Sequence, residues 1–283
     1  MDVVDQLMYS TMRITSLNGA GASISVGSGF LFWLPTESNI KTPLLITNRH
    51  VLADATDVVL HFNVADSHGE PVLGSYSSHT LRDIQTFTIP HPDSHVDLAA
   101  IQIGYMLNYL KTKGINPYFK VLDGGILPRA DAWQKFLAVE DVLMVGYPSG
   151  IWDATNNLPV FRKGITATHP GISYNGKEEF LIDCAVFHGS SGSPVFIFNQ
   201  GAYPTKGGTI QLGSRLVLIG ILYAIYQYQA SGDIAIVEAP STYRPVVQSL
   251  IPNNLGVVIR SSKLLDFESL IDKNGTTRSI TTE

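Results

Sequence analysis

The chain has 283 residues and a formal net charge of −5 at pH 7, and 45% of its residues are hydrophobic while 15% are charged. An average soluble protein has roughly 25% charged residues, so this composition excludes a chain that is disordered throughout. The length allows one large β domain or two smaller ones. No cluster of Lys and Arg is longer than a pair, so we expect no nucleic-acid partner.

Short apolar segments alternate with clusters of Gly, Pro, Asn, Asp and Ser over residues 8–103, for example in ISVGSGFLFWL, PLLITNRHVL and VDLAAIQI. Strands at this regular spacing indicate a barrel or a sandwich. We assign residues 1–110 to a first β unit and residues 111–135 to a linker with at most one or two helical turns. Strand-like segments resume at DVLMVGYP and end with DIAIVEAP, which predicts a second β unit over residues 136–240.

The C-terminal residues 241–283 are predicted to form helices and a mobile tail. Apolar residues recur there at spacings of three and four, which is typical of a helix packed on one face. They are Tyr243, Val246, Val247 and Leu250, followed by Val258, Leu264, Leu265, Phe267 and Leu270. The last segment, NGTTRSITTE, has almost no apolar anchors and is predicted to be mobile.

The longest apolar segment, residues 216–226, is shorter than the roughly 20 residues that a membrane-spanning helix needs. The first segment, MDVVDQLMYSTMRI, has acidic residues where a secretory signal would have Lys or Arg. Cys184 is the only cysteine, so no internal disulfide can form. We therefore expect a cytoplasmic, reducing setting and no membrane partner. The low charge fraction also suggests a surface for a partner or for a second copy of the chain.

A loop of small residues lies between two apolar strands in FHGSSGSPVF, residues 187–196. Such a loop turns sharply and leaves backbone N–H groups free to face a ligand. Ser191 is the candidate nucleophile, and the N–H groups of Gly189 and Ser191 are candidate donors to an oxyanion. Considered alone, the segment is explained equally well as a hairpin turn with no catalytic role.

A nucleophilic serine needs a base, and the base needs a carboxylate that orients it. His50 ends the apolar segment PLLITNRHVL, and Asp97 opens the segment VDLAAIQI. His91, His95 and His188 are the other histidines to be weighed. Taken singly, each histidine has a plain structural explanation, as does an acid at the start of a strand.

Taken together, the segments resemble the trypsin-like, or chymotrypsin-like, serine peptidases, and among them the HtrA-type and related stand-alone bacterial members. The resemblance spans residues 20–240, and its order of His, Asp and Ser is that of this group. It rests on GSGFLF at 27–32, LITNRHV, HVDLAAIQI, VGYPSG at 145–150, GSSGSP and LVLIGILYA at 216–224. The fold it implies is all-β, with two six-stranded Greek-key barrels and a C-terminal helical extension.

The resemblance also implies roles for individual residues. His50 is then the general base and acid, Asp97 orients it, and Ser191 forms an acyl-enzyme. The oxyanion hole falls on the N–H groups of Gly189 and Ser191, and the substrate is a peptide or protein. No cofactor is implied.

Several departures from the family pattern bear on regulation. Ser190 stands where secreted members have the aspartate that pairs with a newly cut N-terminus, and no Ile-Val-Gly-Gly segment lies near the start. We expect either direct folding to an active state or a partner that orders the loop around His188 and Gly189. The C-terminal residues are too few for the PDZ domain of HtrA-type members. Ser193 replaces the usual second glycine.

Specificity follows from the resemblance only in outline. The floor of the substrate pocket lies about six residues before the serine, at Ala185, while Tyr223, Ala224 and Ile225 line a wall. His188 is a further candidate for contact with the substrate. We expect a small or apolar P1 side chain. Asp183 shares the side of Ala185 on a regular strand, so a basic preference stays open.

Two other kinds of site are disfavoured. His91 and His95 in PHPDSHVD have a metal-like spacing, but Pro90 and Pro92 oppose a helix there and the glutamate of the zinc motif is missing. The glycines at 27 and 29 lack the third glycine of a dinucleotide site. We therefore expect neither a metal nor a nucleotide.

An esterase using the same triad is chemically possible. The alternative to an enzyme is a binding module, namely a latent or inactive protease-like scaffold. The intact His, Asp and Ser weigh against permanent loss of activity.

Overall fold

The computed structural model describes residues 2–34, 43–148, 151–233 and 246–273, with side chains left undescribed at 228–233, 246–252 and 272–273. The C-terminal tail predicted to be mobile, Tyr243 of the predicted helix and the end of VGYPSG lie outside the described residues.

The N-terminal half is built around one nine-stranded sheet. Its strands are β1 Thr11–Leu17, β2 Ser23–Trp33, β3 Leu44–Thr47, β4 Asp57–Ala65, β5 Pro71–Leu81, β6 Thr88–Pro90, β7 Ala99–Gln102, β8 Pro117–Tyr118 and β9 Leu122–Asp123. The order is β5-β4-β1-β2-β3-β7-β6, with β8 on β4 and β9 on β2. Among the described residues these pairings follow an open path, whereas the resemblance implied a closed ring of six strands. The helices of this half are α1 Val3–Ser10, α2 Ile84–Phe87 and α3 Gly104–Thr112.

The C-terminal half contains a closed six-stranded barrel. Its strands are β10 Asp141–Gly146, β11 Val160–Thr166, β12 Glu179–Asp183, β13 Pro194–Asn199, β16 Arg215–Asp233 and β17 Val246–Arg260. They pair in the ring β10-β11-β12-β17-β16-β13, and closure leaves no free sheet edge. A separate hairpin is formed by β14 Ala202–Pro204 and β15 Ile210–Leu212. The prediction of an all-β, chymotrypsin-like fold is confirmed in this sense, with a closed barrel, a second sheet and a short C-terminal helix.

Alternation along β2 explains how the two halves pack on each other. Successive strand residues point to opposite faces, and both faces of this strand are buried. Leu31 belongs to the core of the first half, while Phe30 and Phe32 belong to a core shared by both halves. The shared core also contains Val145 and Phe196 of the barrel. Each fully buried side chain of this size contributes roughly 1.5–3 kcal/mol relative to exposure, so the shared core holds the two halves together.

The prediction of helices over the C-terminal residues is wrong for most of the described part. Val246–Arg260 is the strand β17, which pairs with both β12 and β16 and closes the barrel. The β-branched run of Val257, Val258 and Ile259 favours a strand, and a short apolar run does not by itself distinguish the two periods. In the described part of this segment, residues 246–273, the helical structure consists of a 3-10 helix over Ser261–Phe267 and of α4, Glu268–Lys273.

Part of the predicted linker, residues 111–135, belongs to the N-terminal half. It begins within α3 and supplies β8 and β9 to the N-terminal sheet. Two 3-10 helices, Gly124–Ile126 and Trp133–Lys135, complete it. Within the described ranges, no helix has both the length and the apolar character to cross a membrane.

Candidate active site

The loop before β13 presents Ser191 through two tight turns. Ser190 N–H donates to the carbonyl of Phe187 at 3.1 Å, and the third residue of this turn, Gly189, has φ +81°. A positive φ at that position alone is the type II pattern, which favours glycine. The turn therefore sets the direction of the peptide that carries the Gly189 N–H.

Backbone hydrogen bonds hold the rest of this loop. Ser193 N–H donates to the carbonyl of Ser190 at 3.0 Å, and Gly192 N–H donates to that of Leu222 at 2.8 Å. Among the described residues, the N–H groups of Gly189 and Ser191 have no protein acceptor. The loop thus leaves two donors free, on the nucleophile candidate and two residues before it, and such donors can stabilise an oxyanion.

The pairing of β3 with β7 brings His50 to Asp97. In this antiparallel register Thr47 lies opposite Ala99, so the residues just after β3 and just before β7 meet at one edge. His50 follows in a 3-10 helix, Arg49–Leu52.

Both carboxylate oxygens of Asp97 face His50. Oδ2 lies 2.5 Å from His50 Nδ1, and Oδ1 accepts the backbone N–H of His50 at 3.0 Å. Asn48 Nδ2 donates to the backbone carbonyl of Asp97 at 2.9 Å. Asp97 is 19% exposed and His50 is 45% exposed. The carboxylate is thus held in place, while the far side of the imidazole ring stays open to a ligand.

His50 and Ser191 line the same cavity, whose volume is about 190 Å³. Its lining comes from both halves of the molecule and combines polar and apolar side chains. The lining residues are His50, Val186, Phe187, His188, Ser191, Leu222, Tyr223, Ala224 and Ile225. Among the described residues no hydrogen bond joins Ser191 Oγ to His50. In unliganded enzymes this contact is often long and tightens only when substrate binds.

The cavity contains four of the five residues predicted to contact substrate, namely His188, Tyr223, Ala224 and Ile225. Ala185, the predicted floor, lies outside it. The Ala185 side chain is exposed, and its carbonyl accepts Arg162 Nη1 at 2.6 Å. Asp183 is exposed at the end of β12 and is likewise absent from the lining.

Sequence reasoning missed three lining residues, Val186, Phe187 and Leu222. Leu222 lies in the motif LVLIGILYA beside Tyr223, so its neighbourhood was signalled. Val186 and Phe187 follow the end of β12, where strand alternation stops and no sequence pattern shows which side chain turns inward. The guanidinium of Arg162 lies 4.7 Å from the centre of the Phe187 ring.

Tyr223 connects this cavity to two carboxylates. Burial raises the pKa of its phenol, and the nearby carboxylates of Glu179 and then Asp97 raise this pKa further. The phenol therefore remains protonated at neutral pH. Tyr226 lies next to it, with its hydroxyl 3.1 Å from that of Tyr174.

The remaining candidates lie away from the cavity. His91 is buried, accepts the N–H of Asp93 at Nδ1 and lies 3.2 Å from Asp266 Oδ2 through Nε2. His95 is exposed. In the part of the chain that the structure describes, no group of three His, Cys, Asp or Glu residues is placed to hold a metal. Cys184 is buried, and burial raises the pKa of its thiol.

A comparison with protein families matches residues 27–202 to the family described as trypsin-like peptidase domain. No curated protein matched the chain.

Among solved structures, the chain is similar to the serine endoprotease from Yersinia pestis, with a TM-score of 0.48 and 15% identity over 96% of this chain. It covers 66% of that chain, slightly less than two thirds of its length. The Rv3671c protease from M. tuberculosis is similar in its inactive form, with a TM-score of 0.47, 15% identity, and coverage of 97% of this chain and 93% of that one. For its active form the TM-score is 0.44, the identity 16%, and the coverage 99% and 86%.

Proposed function

The chain belongs to the trypsin-like peptidase family and is on that ground a serine-type peptidase, and we propose that it cleaves within polypeptides through an acyl-enzyme on Ser191. The observation that carries the proposal is the meeting of Ser191 with the Asp97-bound His50 in one cavity. The two free N–H groups of the Ser191 loop complete the set of groups that acyl transfer requires.

In the proposed reaction, Ser191 Oγ attacks the substrate carbonyl carbon while His50 Nε2 accepts the hydroxyl proton. Asp97 holds Nδ1 as the donor nitrogen and stabilises the imidazolium. The oxyanion is bound by the N–H groups of Gly189 and Ser191. His50 then protonates the leaving amine, and the peptide bond breaks. Water hydrolyses the acyl-enzyme by the same steps in reverse order.

The first step requires Ser191 Oγ to form the hydrogen bond to His50 that the unliganded site lacks. In the proposed reaction this bond forms when substrate binds in the shared cavity. If the bond forms only when a partner orders the loop, the protein is latent in isolation. This is the alternative function, a protease-like scaffold that binds without cleaving.

The proposed substrate has an apolar P1 side chain. Supporting this, the cavity is lined by Val186, Leu222, Ala224 and Ile225, and no acidic side chain is among its lining residues. Its volume of about 190 Å³ lies below the range of about 300–1,000 Å³ typical of drug-sized ligands. That size suits one side chain of a peptide. Cleavage of a peptide library mainly after Lys or Arg would contradict this preference.

The deciding experiment is labelling of the purified protein with a fluorophosphonate, with mass spectrometry to locate the adduct. Ser191→Ala is the negative control. Ser193→Ala is the matched positive control, because Ser193 is equally part of the loop but its buried Oγ has no hydrogen-bond partner. Labelling that is lost only in Ser191→Ala supports the peptidase. A folded, monodisperse protein that does not react supports the latent scaffold.

We also propose a cytoplasmic setting, in agreement with a single, buried cysteine. A protein partner or self-association is proposed as the means of regulation. Light scattering at several concentrations, with and without an apolar peptide, tests self-association directly.

A further inference from the structure

Ser28 of β2 is a fully buried polar residue between the two halves of the molecule. Its exposed fraction is 0%, and it lies opposite Arg13 in the N-terminal sheet. It nevertheless makes hydrogen bonds to residues far along the chain, in the loop that carries Ser191.

Two bonds join Ser28 to the carbonyls on either side of Ser190. The backbone N–H of Ser28 donates to the carbonyl of Ser191 at 2.8 Å, and its Oγ donates to the carbonyl of Gly189 at 3.1 Å. The same Oγ accepts the N–H of Tyr147, just after β10, at 2.8 Å. One serine of the first half therefore holds two segments of the second.

These bonds restrict the peptides that carry the oxyanion donors. Each peptide unit is planar, so a hydrogen bond to a carbonyl also orients the N–H of the following residue. The peptide that carries the Gly189 N–H and the one that carries the Ser191 N–H each adjoin a peptide whose carbonyl is bound by Ser28. Ser28 thus anchors one neighbour of the peptide that carries the Gly189 N–H and both neighbours of the peptide that carries the Ser191 N–H, which narrows the φ and ψ range open to the two donors.

The surroundings leave no room for the loop to shift toward Ser28. A Cβ added to Gly192 would lie 1.9 Å from the carbonyl oxygen of Ser28. A Cβ on Gly146 would lie 2.9 Å from Ser28 Oγ. The carbonyl of Ser28 is itself held by Thr47 Oγ1 at 2.8 Å, at the end of the strand that leads to His50.

We propose that Ser28 is a positioning residue through which the N-terminal sheet sets the two oxyanion-binding N–H groups of the Ser191 loop. The inference rests on the proposed peptidase reaction. It assigns the first half a second task beyond carrying His50 and Asp97. Docking of the two halves and assembly of the oxyanion site become one event, because the same serine takes part in both.

The test compares Ser28→Ala with Ser10→Ala, a matched control. Ser10 is also 0% exposed and also donates from Oγ to a backbone carbonyl, that of Leu7 at 3.2 Å, but it lies in α1. Ser28→Cys is somewhat larger than serine and has a much weaker donor, and it serves if the alanine variant does not fold. Measurements are kcat and KM on a peptide with an apolar P1 residue, and the affinities of a peptidyl trifluoromethyl ketone and its alcohol analogue.

The ketone forms a tetrahedral adduct with an oxyanion, whereas the alcohol binds without one. We expect Ser28→Ala to lower kcat by about 10²-fold, the size of effect known for a lost oxyanion donor. The affinity of the ketone should fall by a similar factor, while KM and the affinity of the alcohol change little. Unchanged kcat in Ser28→Ala, or an equal loss of affinity for ketone and alcohol, would overturn the proposal.

Amide hydrogen exchange separates this inference from the proposed function. If the wild-type protein neither reacts with fluorophosphonate nor cleaves peptides, the peptidase proposal fails. The positioning role is then judged on exchange at Gly192 and Ser193, whose N–H groups donate to the carbonyls of Leu222 and Ser190. We expect about tenfold faster exchange in Ser28→Ala than in Ser10→Ala. Equal protection in the two variants refutes positioning.

Discussion

Replacing Asp97 with Asn tests the proposed triad with the smallest chemical change. The two carboxylate oxygens have different partners: Oδ1 accepts the backbone N–H of His50, while Oδ2 faces Nδ1 of the ring. A carboxamide has only one acceptor oxygen. That oxygen must face the backbone N–H, since placing the NH₂ group there would set two donors against each other.

The amide NH₂ of Asp97→Asn then points at Nδ1 and donates to it. His50 is forced into the tautomer that carries its proton on Nε2, and this nitrogen can no longer accept the proton of Ser191. A wrong tautomer of this kind lowers turnover by about 10⁴-fold, or about 5.4 kcal/mol of activation free energy. Because the number and arrangement of non-hydrogen atoms stay the same, the fold should be unaffected.

The assay is kcat on a chromogenic peptide or ester, together with the rate of fluorophosphonate labelling and the melting temperature. Asp93→Asn is the matched control, since Asp93 also accepts a backbone N–H, that of His95 at 2.9 Å, but lies away from the cavity. Turnover of Asp97→Asn within tenfold of wild type, with an unchanged melting temperature, would refute the assignment of Asp97 as the orienting acid.

Three further predictions concern stability and the Ser191 loop. Burial, and then the nearby charge of Arg13, lower the pKa of His61 from 6.5 to about 4. The unfolded chain therefore takes up this proton at a higher pH than the folded protein does. As a result, the stability that His61 contributes is fully present above pH 6.5 and is lost as the pH falls toward 4. After a discount for partial solvent exposure, the loss of unfolding free energy over this pH range is about 2 kcal/mol. In urea unfolding, His61→Gln should lose that much less stability than wild type as the pH is lowered, and identical pH profiles of the two proteins would contradict the prediction. Glu140 is 3% exposed and lies 2.5 Å from Arg215, so Glu140→Ala should lower the unfolding free energy by about 3–5 kcal/mol; a loss below 1 kcal/mol in the same assay would show that the pair is not effectively buried. Gly192 has φ +84° and no space for a Cβ beside Ser28, so Gly192→Ala should slow fluorophosphonate labelling by about 10²-fold or more, and a wild-type rate would contradict the geometry of the loop.

Much of the site could be predicted because its candidate residues are recognisable within short sequence segments. A serine in a loop of small residues, a histidine ending an apolar strand and an acid opening another are visible one at a time. The pairing of β3 with β7 then brings His50 and Asp97 together, and the shared cavity brings Ser191 to them.

Other predictions failed where a local pattern has two solutions. The apolar residues of β17 fit a helical spacing over part of their length, but closing the barrel requires a sixth strand between β12 and β16. The family resemblance placed Ala185 at the pocket floor, about six residues before the serine. In the structure Ala185 follows the end of β12 at Asp183 and is not among the residues that line the cavity.

The sequence by itself determined which residues are able to carry acyl transfer, their order along the chain, and a fold dominated by β-strands. These depend on residue type and on alternation over a few positions, which are local properties. Only the tertiary structure decided that Ser28 holds the Ser191 loop, because its bond to Gly189 joins residues 161 positions apart. It also decided the lining of the cavity, since contacts between distant backbone groups follow from how the two halves pack.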